Sequence, residues 1–543
     1  MPAIPMPVLG TVPVLSARES LTVVHALRRS GLVRPYRPDQ LAAAAKDLAT
    51  YGMGPGMGPA WPRRLRPDSE AFVHEATRMT FRELDAACNT TAAVLAAVGL
   101  VPGSRVGLLA RNGPGFYLAM VGASRAGMDV GYLNTGFTAE QVEQVCRAEG
   151  IQAVVAEEEF LSRVPHDLRA FVLAVDGPHA LPPAQLGSFA PQTGSAGWEP
   201  DHRSRHIILT SGTTGRPKGA ARTGGGLDSV LAFLTGLQLQ AEKRHLIAAP
   251  MFHAWGWSNT LFTMLLASTI VTTPRFDAEE TLALIERERC EVLVAVPVML
   301  QRIMALPESV RRRYDCSSLE RVVVSGSPLP ADLALRFMDE FGEVVYNLYG
   351  STEAAFATVA GPVDLRAAPG TAGRPLPGVA VRVVDDEGRD CSRGQIGSIV
   401  VGSGTSFRGY TSGDDKARVD GLVAIGDRGW FDDQHRLFIA SRDDDMVITG
   451  GENVYPITVE QVLHAHPEVA DVAVVGRPDP TFGEILVAHV VPVPGSPLDG
   501  AELQSWAKGR LAPFQVPRAV VMQERLPRNE TGKVLTRKLR EQN

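Results

Sequence analysis

The sequence predicts an α/β protein with a large N-terminal domain of layered α/β subdomains plus a β-rich subdomain, followed by a small mobile α+β C-terminal domain. From about residue 70, short apolar runs alternate with helical patterns, which favours parallel sheets covered by helices. After about residue 375 the runs become short strands separated by turn residues, which favours a β-rich unit. The last hundred residues read as a smaller mixed unit.

Individual elements follow from local patterns. In the α/β part the predicted strands are Arg105–Leu109, Ala153–Ala156, His206–Leu209, His245–Ala249, Thr269–Thr272, Glu291–Val296, Arg321–Val324 and Glu343–Asn347. Helices are predicted at Thr80–Val98, Ala139–Glu149 and Ala331–Phe341. The β-rich part holds Val379–Val384, Gly397–Val401 and Leu437–Ala440. In the last unit we expect helices Thr458–His466 and Ala501–Leu511, and strands Val472–Val475, Leu486–Val493 and Ala519–Met522.

Bulk composition limits the class of protein. A chain of 543 residues is longer than a single hydrophobic core usually supports, so two or more domains are expected. A formal net charge of −6 gives no general attraction to nucleic acid or an anionic membrane. Five dispersed cysteines without a CxxC pair argue against a metal cluster or a disulfide framework and fit a cytoplasmic protein. Neither a signal peptide nor a membrane span of about 18 apolar residues is expected.

Three units are expected along the chain: a helical extension with its linker (1–60), a large domain (61–441) and a mobile C-terminal domain (442–543). The extension should contain a helix or two, including the apolar stretch Leu41–Ala45, that pack against the main body; an amphipathic surface helix is the alternative. Residues 51–60 are rich in glycine and proline and predict a plain loop. The boundary near Arg442–Asp445 rests on an acidic run that is unsuited to a strand interior.

The strongest chemical signal is a run of hydroxyl and glycine residues after the predicted strand His206–Leu209. Glycines let a backbone approach a polyanion, while hydroxyls and a lysine add donors for phosphate oxygens. The run is not a Walker loop, because Arg216 and Pro217 separate its last glycine from its lysine. It predicts a phosphate-binding loop with contacts from Thr210, Ser211, Gly212, Thr213, Thr214, Gly215 and Lys218.

This run resembles the signature of the adenylate-forming superfamily: acyl-CoA synthetases, luciferases and nonribosomal adenylation domains. Further motifs occur in the family's order from about Met79 to Lys533, and the chain is most similar to bacterial fatty-acyl-CoA ligases. The resemblance implies an enzyme that uses ATP to activate a small-molecule carboxylic acid, a fatty or other apolar acid, as its acyl-adenylate with release of pyrophosphate. The acyl group then passes to coenzyme A, and Mg²⁺ is the implied metal.

A second motif, Tyr346–Glu353, overlaps the end of a predicted strand. An exposed aromatic ring can stack on a purine, a hydroxyl can bind phosphate and a carboxylate can hold Mg²⁺. The resemblance implies these roles for Tyr349, Thr352 and Glu353 respectively; without it, Tyr349 would be read as core and Glu353 as a helix charge. It also implies nucleotide contacts from this motif and an upstream loop, namely Ser325, Gly326, Ser327, Asn347, Gly350 and Ser351.

Two short motifs resemble the ribose site and the adenylation lysine of the family. Ile425–Asp427 resembles a ribose-binding turn in which Asp427 accepts hydrogen bonds from both sugar hydroxyls, although Ile425 replaces the usual Thr or Ser. Near the C-terminus, Leu526–Lys533 resembles the loop whose lysine bridges the acyl carboxylate and the α-phosphate. The cation of Lys533 would then offset charge that gathers on the five-coordinate phosphorus.

The run Ser441–Asp445 resembles the interdomain linker of the family. The resemblance implies that Arg442 contacts the ribose and that Asp444 is the hinge between two reaction states. Gly450 and Gly451 would line the pantetheine path in the second state. A solvated acidic turn is the alternative interpretation of this run.

The segment Pro250–Gly256 resembles the mouth of the acyl pocket, where His253 would gate the pocket or orient the carboxylate. A hydrogen-bonded core histidine is left open as the alternative. So is the acceptor, because an amide-bond synthetase or a carrier-protein acyl ligase would use the same adenylate. A degenerate nucleotide-binding module is disfavoured by the intact loop, Glu353 and Lys533. No nucleic-acid partner is expected, and a homodimer is left open.

Overall fold

The computed structural model describes residues 17–32, 34–52, 54–97, 99–172, 204–210, 218–222, 227–402, 410–411, 415–442, 446–449, 452–529 and 532–542. In chain order the strands are β1 Glu70–His74, β2 Thr77–Thr80, β3 Arg105–Leu109, β4 Asp129–Tyr132, β5 Ala153–Ala156, β6 Arg169–Val172, β7 His206–Thr210, β8 Lys218–Arg222, β9 Arg244–Ile247, β10 Thr269–Thr272, β11 Val292–Ala295, β12 Arg321–Val324, β13 Val345–Ser351, β14 Ala355–Ala360, β15 Arg374–Pro375, β16 Ala380–Val384, β17 Gly397–Gly402, β18 Arg418–Val419, β19 Leu422–Phe431, β20 Leu437–Arg442, β21 Val447–Thr449, β22 Glu452–Val454, β23 Val469–Asp479, β24 Gly483–Pro492 and β25 Ala519–Met522.

The α-helices are α1 Ala17–Arg29, α2 Pro38–Tyr51, α3 Ala60–Leu65, α4 Phe81–Ala97, α5 Pro114–Arg125, α6 Ala139–Ala148, α7 Leu227–Leu237, α8 Ala254–Leu265, α9 Ala278–Glu288, α10 Pro297–Met304, α11 Glu308–Arg311, α12 Ala331–Phe341, α13 Pro362–Ala367, α14 Pro456–His464, α15 Gly500–Lys508 and α16 Thr536–Arg540. Short 3₁₀ helices lie at Pro55–Met57 and Glu158–Arg163.

Two largely parallel sheets form the α/β layers of the large domain. The first has the order β15-β14-β13-β12-β11-β9-β10-β1-β2, and the second has the order β6-β5-β3-β4-β7-β8. Helix α5 lies between them, because Pro114–Ala123 are all buried. A helix that is apolar on every side is stable only where it is enclosed in this way. The predicted α/β layering is therefore confirmed.

The β-rich subdomain and the small domain have sheets of their own. Antiparallel strands β16-β17-β19-β18, with β20 on β19, enclose a separate core that includes Val383, Ile399, Val401 and Ile425. The small domain has the order β22-β21-β24-β23, with β25 parallel to β24. Apolar side chains of α14 and α15 pack on this sheet, as expected for an α+β unit. Of the predicted strands, β3, β5, β10, β12 and β25 have the predicted bounds.

The N-terminal extension differs from expectation at two places. Helix α2 turns Asp47 inward, where it is buried and pairs with Arg64 at 2.7 Å, whereas Leu41 is 52% exposed. Helix α2 therefore packs on the main body through an ion pair, and Leu41 at the start of the apolar stretch faces outward. The predicted loop at 51–60 contains a 3₁₀ turn, and Gly56 in it accepts a hydrogen bond from Arg125.

Within the residues that the structure describes, no helix combines the length and the apolar character that crossing a bilayer requires.

Candidate active site

A cavity of about 360 Å³ lies between the large and small domains. Its large-domain wall consists of the loop after β12, the end of β13 and part of β19, and its small-domain wall includes α14 and the C-terminal loop. Ligand sites of α/β sheets lie at such carboxyl ends of strands. The structure brings these predicted residues together in the cavity lining: Ser325, Gly326, Ser327, Asn347, Tyr349, Gly350, Asp427 and Lys533.

The predicted adenine and ribose residues contact each other directly. The phenol O–H of Tyr349 donates a hydrogen bond to Oδ2 of Asp427 at 2.6 Å. Tyr349 is on β13 and Asp427 is on β19, so this bond joins the α/β layer to the β-rich subdomain. It holds a ring face and a carboxylate at fixed relative positions in the same cavity.

A close approach of two strands requires glycine at position 350. In the β13–β14 pair Gly350 lies opposite Phe356, and a Cβ on Gly350 would overlap the carbonyl oxygen of Ala355. Ala355 itself has a positive φ of 62°. Only glycine leaves the space for this turn beside Tyr349.

Glu353 lies at the bend between β13 and β14, and its side chain is buried. The hydroxyl of Ser351 shapes the bend by accepting hydrogen bonds from the backbone N–H groups of Glu353 at 3.2 Å and Ala354 at 3.0 Å. Tyr410 donates its phenol O–H to Oε1 of Glu353 at 2.6 Å. The carboxylate is therefore held in one orientation, and Thr352 lies between the two anchored residues.

Tyr410 is a residue that the sequence analysis missed. Its backbone pairs with Ala220 of β8, and the N–H of Thr411 donates to the carbonyl of Gly219 at 2.9 Å. The segment thus connects the strand that follows the predicted phosphate loop to Glu353. A tyrosine directly after a glycine, in Arg408-Gly409-Tyr410, was the only available signal.

Asp427 lies in a strand bulge, which corrects the predicted turn. Between the pairs Val400–Ala424 and Ser398–Arg428, β19 has three residues where β17 has one. Gly426, in the middle of these three, has φ 82°, which favours glycine. Ile425 is buried in the β-rich core, which explains an apolar side chain at this position. In the strand pairing, Asp427 is opposite Arg442 of β20.

Lys533 is on a tightly bonded loop. Its backbone N–H donates to Oδ1 of Asn529 at 2.8 Å, and its carbonyl accepts from the N–H of Asn529 at 2.9 Å. Arg528 donates to the carbonyl of Gly532 at 2.6 Å and pairs with Asp471 at 2.8 Å. The loop therefore has a defined shape inside the small domain.

The same loop packs closely on the large domain. Gly532 has φ 80°, and a Cβ there would overlap Cγ1 of Val298 on α10. Gln301, one turn further along α10, donates to the carbonyl of Ala470 in β23. Helix α10 is thus the surface on which the Lys533 loop rests.

His253 directly precedes α8, and its Nε2 is buried without a hydrogen-bond partner among the described residues. Burial lowers the pKa of His253 to about 4, so the ring is neutral at pH 7. Asn112 fixes the preceding loop, because its Oδ1 accepts from Met251 N–H at 2.7 Å and its Nδ2 donates to the Ala249 carbonyl at 2.9 Å. His253 does not belong to the lining of the cavity between the domains.

Several predicted residues fall outside the described residues. These are Ser211, Gly212, Thr213, Thr214 and Gly215 of the phosphate loop, the hinge residue Asp444, and Gly450 and Gly451. The two strands that flank the phosphate loop are antiparallel, with Thr210 opposite Lys218. The backbone of Arg442 is described as the last residue of β20.

A second cavity, of about 810 Å³, is rich in cationic side chains. It extends from the carboxyl ends of the parallel strands to the C-terminal loop and α16 of the small domain, and it includes Pro250 and Phe252, which precede His253. Arg111 and Arg275 both contact Glu159, at 2.6 and 3.3 Å. The basic groove, as we call this cavity, has the cationic residues Arg111, Arg275, Arg302, Arg525, Arg528 and Lys538 in its lining.

Comparison with known proteins agrees with this geometry. The profile of the AMP-binding enzyme family matches residues 60–411, and that of the AMP-binding enzyme C-terminal domain matches residues 458–533. A feruloyl-CoA synthase of Amycolatopsis sp is 33% identical over 494 residues, covering 89% of this chain and 98% of the relative. The long-chain-fatty-acid–CoA ligase FadD13 of Mycobacterium tuberculosis is 30% identical over 497 residues, covering 89% and 98%.

Among solved structures, ATP-bound MatB from Rhodopseudomonas palustris superimposes with a TM-score of 0.77 at 28% identity, covering 87% of this chain and 95% of MatB. The fold and the site thus define an adenylate-forming enzyme, in the class of AMP-forming acid–thiol ligases. The chain belongs to the AMP-binding enzyme family.

Proposed function

We propose that this chain activates an apolar carboxylic acid with ATP and transfers the acyl group to coenzyme A. The observation that carries the proposal is the shared cavity, in which Tyr349 and Asp427 of the large domain face Lys533 of the small domain. A purine-stacking ring, a ribose-binding carboxylate and a cation in one cavity suit an adenosine nucleotide whose α-phosphate reacts.

In the first half-reaction the carboxylate oxygen attacks the α-phosphorus, and the bond to pyrophosphate breaks. Tyr349 stacks on the adenine, Asp427 accepts from the ribose hydroxyls and Thr352 binds phosphate. Lys533 offsets the negative charge that gathers on the α-phosphate and the acyl carboxylate. The proposal also assigns nucleotide contacts to the residues of the phosphate loop and to Arg442.

The site around Glu353 fits Mg²⁺. In the described part of the chain no group of three or more His, Cys, Asp or Glu side chains forms a metal cage. Mg²⁺ does not need one, because it is commonly held by one or two carboxylates together with substrate phosphates and water. Glu353, whose carboxylate is oriented by Tyr410, would be that ligand. When bound, the ion would neutralise charge on the leaving phosphates.

In the second half-reaction the thiol of coenzyme A attacks the acyl carbonyl, and AMP leaves. We propose that the small domain (442–543) turns about Asp444, withdraws Lys533 and presents Gly450 and Gly451 to the pantetheine arm. Splitting one dehydration into two transfers makes each step feasible. His253 would gate the acyl pocket, and its neutral ring avoids a charge beside an apolar acid.

The basic groove supports coenzyme A as the acceptor. Coenzyme A has several phosphate charges, for which arginine side chains are suited, whereas a simple amine has none. The groove reaches Phe252, next to His253. A carrier protein, which presents a phosphopantetheine arm, is the second candidate acceptor that this groove favours.

An aromatic cluster supports an apolar acid. Trp255 of α8 follows His253 by two residues, and Phe356 lies opposite Gly350 in the strand pairing. Phe233 stacks on Phe262 at 3.8 Å and approaches Phe356 at 5.0 Å and Trp255 at 6.3 Å. These rings pack on one another in the core beside His253. We propose that an acid entering past His253 would meet their ring faces and no charge.

The experiment is a matrix of acids and acceptors. Pyrophosphate release is measured with ferulate, phenylacetate, octanoate and palmitate, and products with coenzyme A, pantetheine, an amine or a holo-carrier protein are identified by mass. We expect an acyl-CoA product and a higher KM for pantetheine than for coenzyme A. An amide, or no pyrophosphate release with any acid, would contradict the proposal. The cytoplasmic location and a homodimeric assembly are proposed with it, and light scattering tests the assembly.

A further inference from the structure

A histidine and an aspartate connect the two domains beside the nucleotide cavity. Nδ1 of His464, at the end of α14 in the small domain, lies 2.8 Å from Oδ1 of Asp332, at the start of α12 in the large domain. The His464 side chain is 7% exposed and that of Asp332 is 32% exposed. Both nitrogens of the His464 ring are buried, and neither makes a hydrogen bond of regular geometry with a described residue, so the contact with Asp332 is close without being a regular hydrogen bond.

The position of each residue on its helix favours the contact. The N-terminal turn of a helix stabilises a carboxylate, and the C-terminal turn stabilises an imidazole N–H or a cation. Arg336, one turn along α12, pairs with Asp332 at 2.9 Å. Burial opposes ionisation, yet the contacts with His464 and Arg336 together lower the pKa of the Asp332 carboxyl below its usual value. These contacts therefore favour the ionised form of the Asp332 carboxyl beside His464.

Both residues are connected directly to the nucleotide cavity. Asp332 follows the loop Ser325–Pro330, which lines the cavity, and His464 lines the cavity itself. Two further contacts between the domains around the Lys533 loop are a packing contact of Gly532 with Val298 and a hydrogen bond from Gln301 to a carbonyl. Among these three contacts, only that of His464 and Asp332 pairs an acidic side chain with a basic one.

We propose that His464 and Asp332 form a latch that holds the small domain in the orientation where Lys533 enters the nucleotide cavity. His464 is then a positioning residue of the adenylation half-reaction and takes no part in acyl transfer. This inference rests on the proposed function, because it needs two half-reactions that use two domain orientations. Neither residue belongs to the motifs by which the sequence resembles its family.

The test separates the two half-reactions in His464→Gln and Asp332→Asn. Acid-dependent exchange of pyrophosphate into ATP reports adenylation, and transfer from supplied acyl-adenylate to coenzyme A reports the second step. Removing one partner of a buried polar contact lowers an equilibrium by about tenfold, so exchange should fall by about that factor in each variant. The rate of acyl transfer should stay the same or rise, because the latch no longer holds the small domain away from the second orientation.

A matched control is His466→Gln, two residues further along. His466 is also buried, but its ring packs on Trp506 within the small domain at 4.7 Å. It should retain both rates. The double variant of His464 and Asp332 should lose no more exchange activity than either single variant, because the two act through one contact. Melting curves of all variants identify misfolding.

Three results would overturn the latch. Equal loss of both half-reactions in Asp332→Asn with an unchanged melting curve would show a general role. Additive losses in the double variant would show two independent roles. Wild-type exchange in both single variants would leave the proposed function intact and remove the latch alone, whereas absence of exchange in the wild-type protein with every acid would remove both proposals.

Discussion

The phenol of Tyr349 donates to the carboxylate of Asp427 across 2.6 Å and so ties strand β13 to strand β19. The ring that we assign to adenine and the carboxylate that we assign to ribose therefore hold each other in one arrangement. Pre-organisation of this kind reduces the cost of ordering side chains on binding.

Removing the Tyr349 hydroxyl tests this bond. Tyr349→Phe keeps the ring for stacking but leaves Asp427 without that donor, so KM for ATP should rise about three- to tenfold while kcat changes little. Steady-state kinetics with varied ATP measures this. Tyr346→Phe, on the same strand but outside the cavity lining, is the control and should keep the wild-type KM. An unchanged KM in Tyr349→Phe would mean that Asp427 is oriented by other groups.

Gly532 is predicted to tolerate no side chain. Gly532→Ala adds a methyl group that overlaps Val298 and also has to adopt φ 80°, so adenylation should fall at least about tenfold. Gly495→Ala is the matched control, because Gly495 has φ 82° with open space around it. Both variants strain the backbone, but only Gly532→Ala also overlaps a neighbouring side chain. Comparing pyrophosphate exchange in the two variants therefore separates the effect of the overlap from the effect of backbone strain. Adding Val298→Ala should restore part of the loss, and equal effects in both glycine variants would refute the overlap.

Lys533→Ala should abolish adenylation and spare acyl transfer. Removing a preorganised group that offsets transition-state charge commonly costs about 10²–10³ in rate, and pyrophosphate exchange should fall by at least that factor. Transfer from supplied acyl-adenylate to coenzyme A should stay near the wild-type rate. Lys508→Ala, an exposed position on α15, provides the control. Equal loss in both half-reactions would contradict a rotation of the small domain.

Glu353→Gln should raise the Mg²⁺ concentration needed for half-maximal adenylation by about tenfold, because the residue that we propose as a metal ligand loses its charge at nearly constant size. Tyr410→Phe should raise it less, because the carboxylate remains but loses the 2.6 Å hydrogen bond that orients it. Titrating Mg²⁺ in the exchange assay at constant ATP gives both values. Normal metal dependence in Glu353→Gln would exclude this residue from the metal site.

Two buried histidines predict acid sensitivity of the fold. Burial lowers the pKa values of His206 and His245 to about 3 each, so both are neutral in the native state. Below about pH 6.5 the unfolded chain binds protons that the native state does not, and each histidine removes about 2 kcal/mol from the free energy of unfolding at pH 5. This loss grows as pH falls toward 3 and vanishes above 6.5.

Denaturant unfolding at pH 7.5 and pH 5 measures the effect. His245→Asn should lose less stability between these pH values than the wild-type protein, because one buried titrating group is gone. His25→Asn, at an exposed position, should show the wild-type difference. If His245→Asn also matches the wild-type difference, His245 does not bind a proton on unfolding in this range.

The elements that the sequence predicted well are those with strong local signals. Strands such as Arg321–Val324 are continuous apolar runs between helices, and their bounds in the structure are the predicted ones. Asn347, Tyr349 and Gly350 could be assigned to the nucleotide site because they belong to a contiguous motif at the end of such a strand. Lys533 could be assigned by resemblance alone, since nothing in its local pattern differs from a surface lysine.

The parts of the fold and of the site that could not be predicted depend on contacts between distant segments of the chain. Tyr410 reaches Glu353, Asn112 holds the loop before His253 and His464 meets Asp332 only in the folded chain. The sequence around Asp427 predicts a turn, because a glycine with positive φ is found in turns and in strand bulges alike. In α2 the apolar stretch that begins at Leu41 indicates a helix, but the Asp47–Arg64 ion pair that holds it cannot be predicted from one segment.

The nucleotide cavity has walls from two domains, and its complete shape exists only while they are together. Part of the binding free energy of any occupant therefore belongs to the association of the domains. A ligand that fills the cavity acts as a non-covalent cross-link between the large and small domains, and its departure weakens their association. A stable mimic of the acyl-adenylate should inhibit this enzyme in two ways, by occupying the site and by immobilising the small domain, whose rotation we propose for acyl transfer.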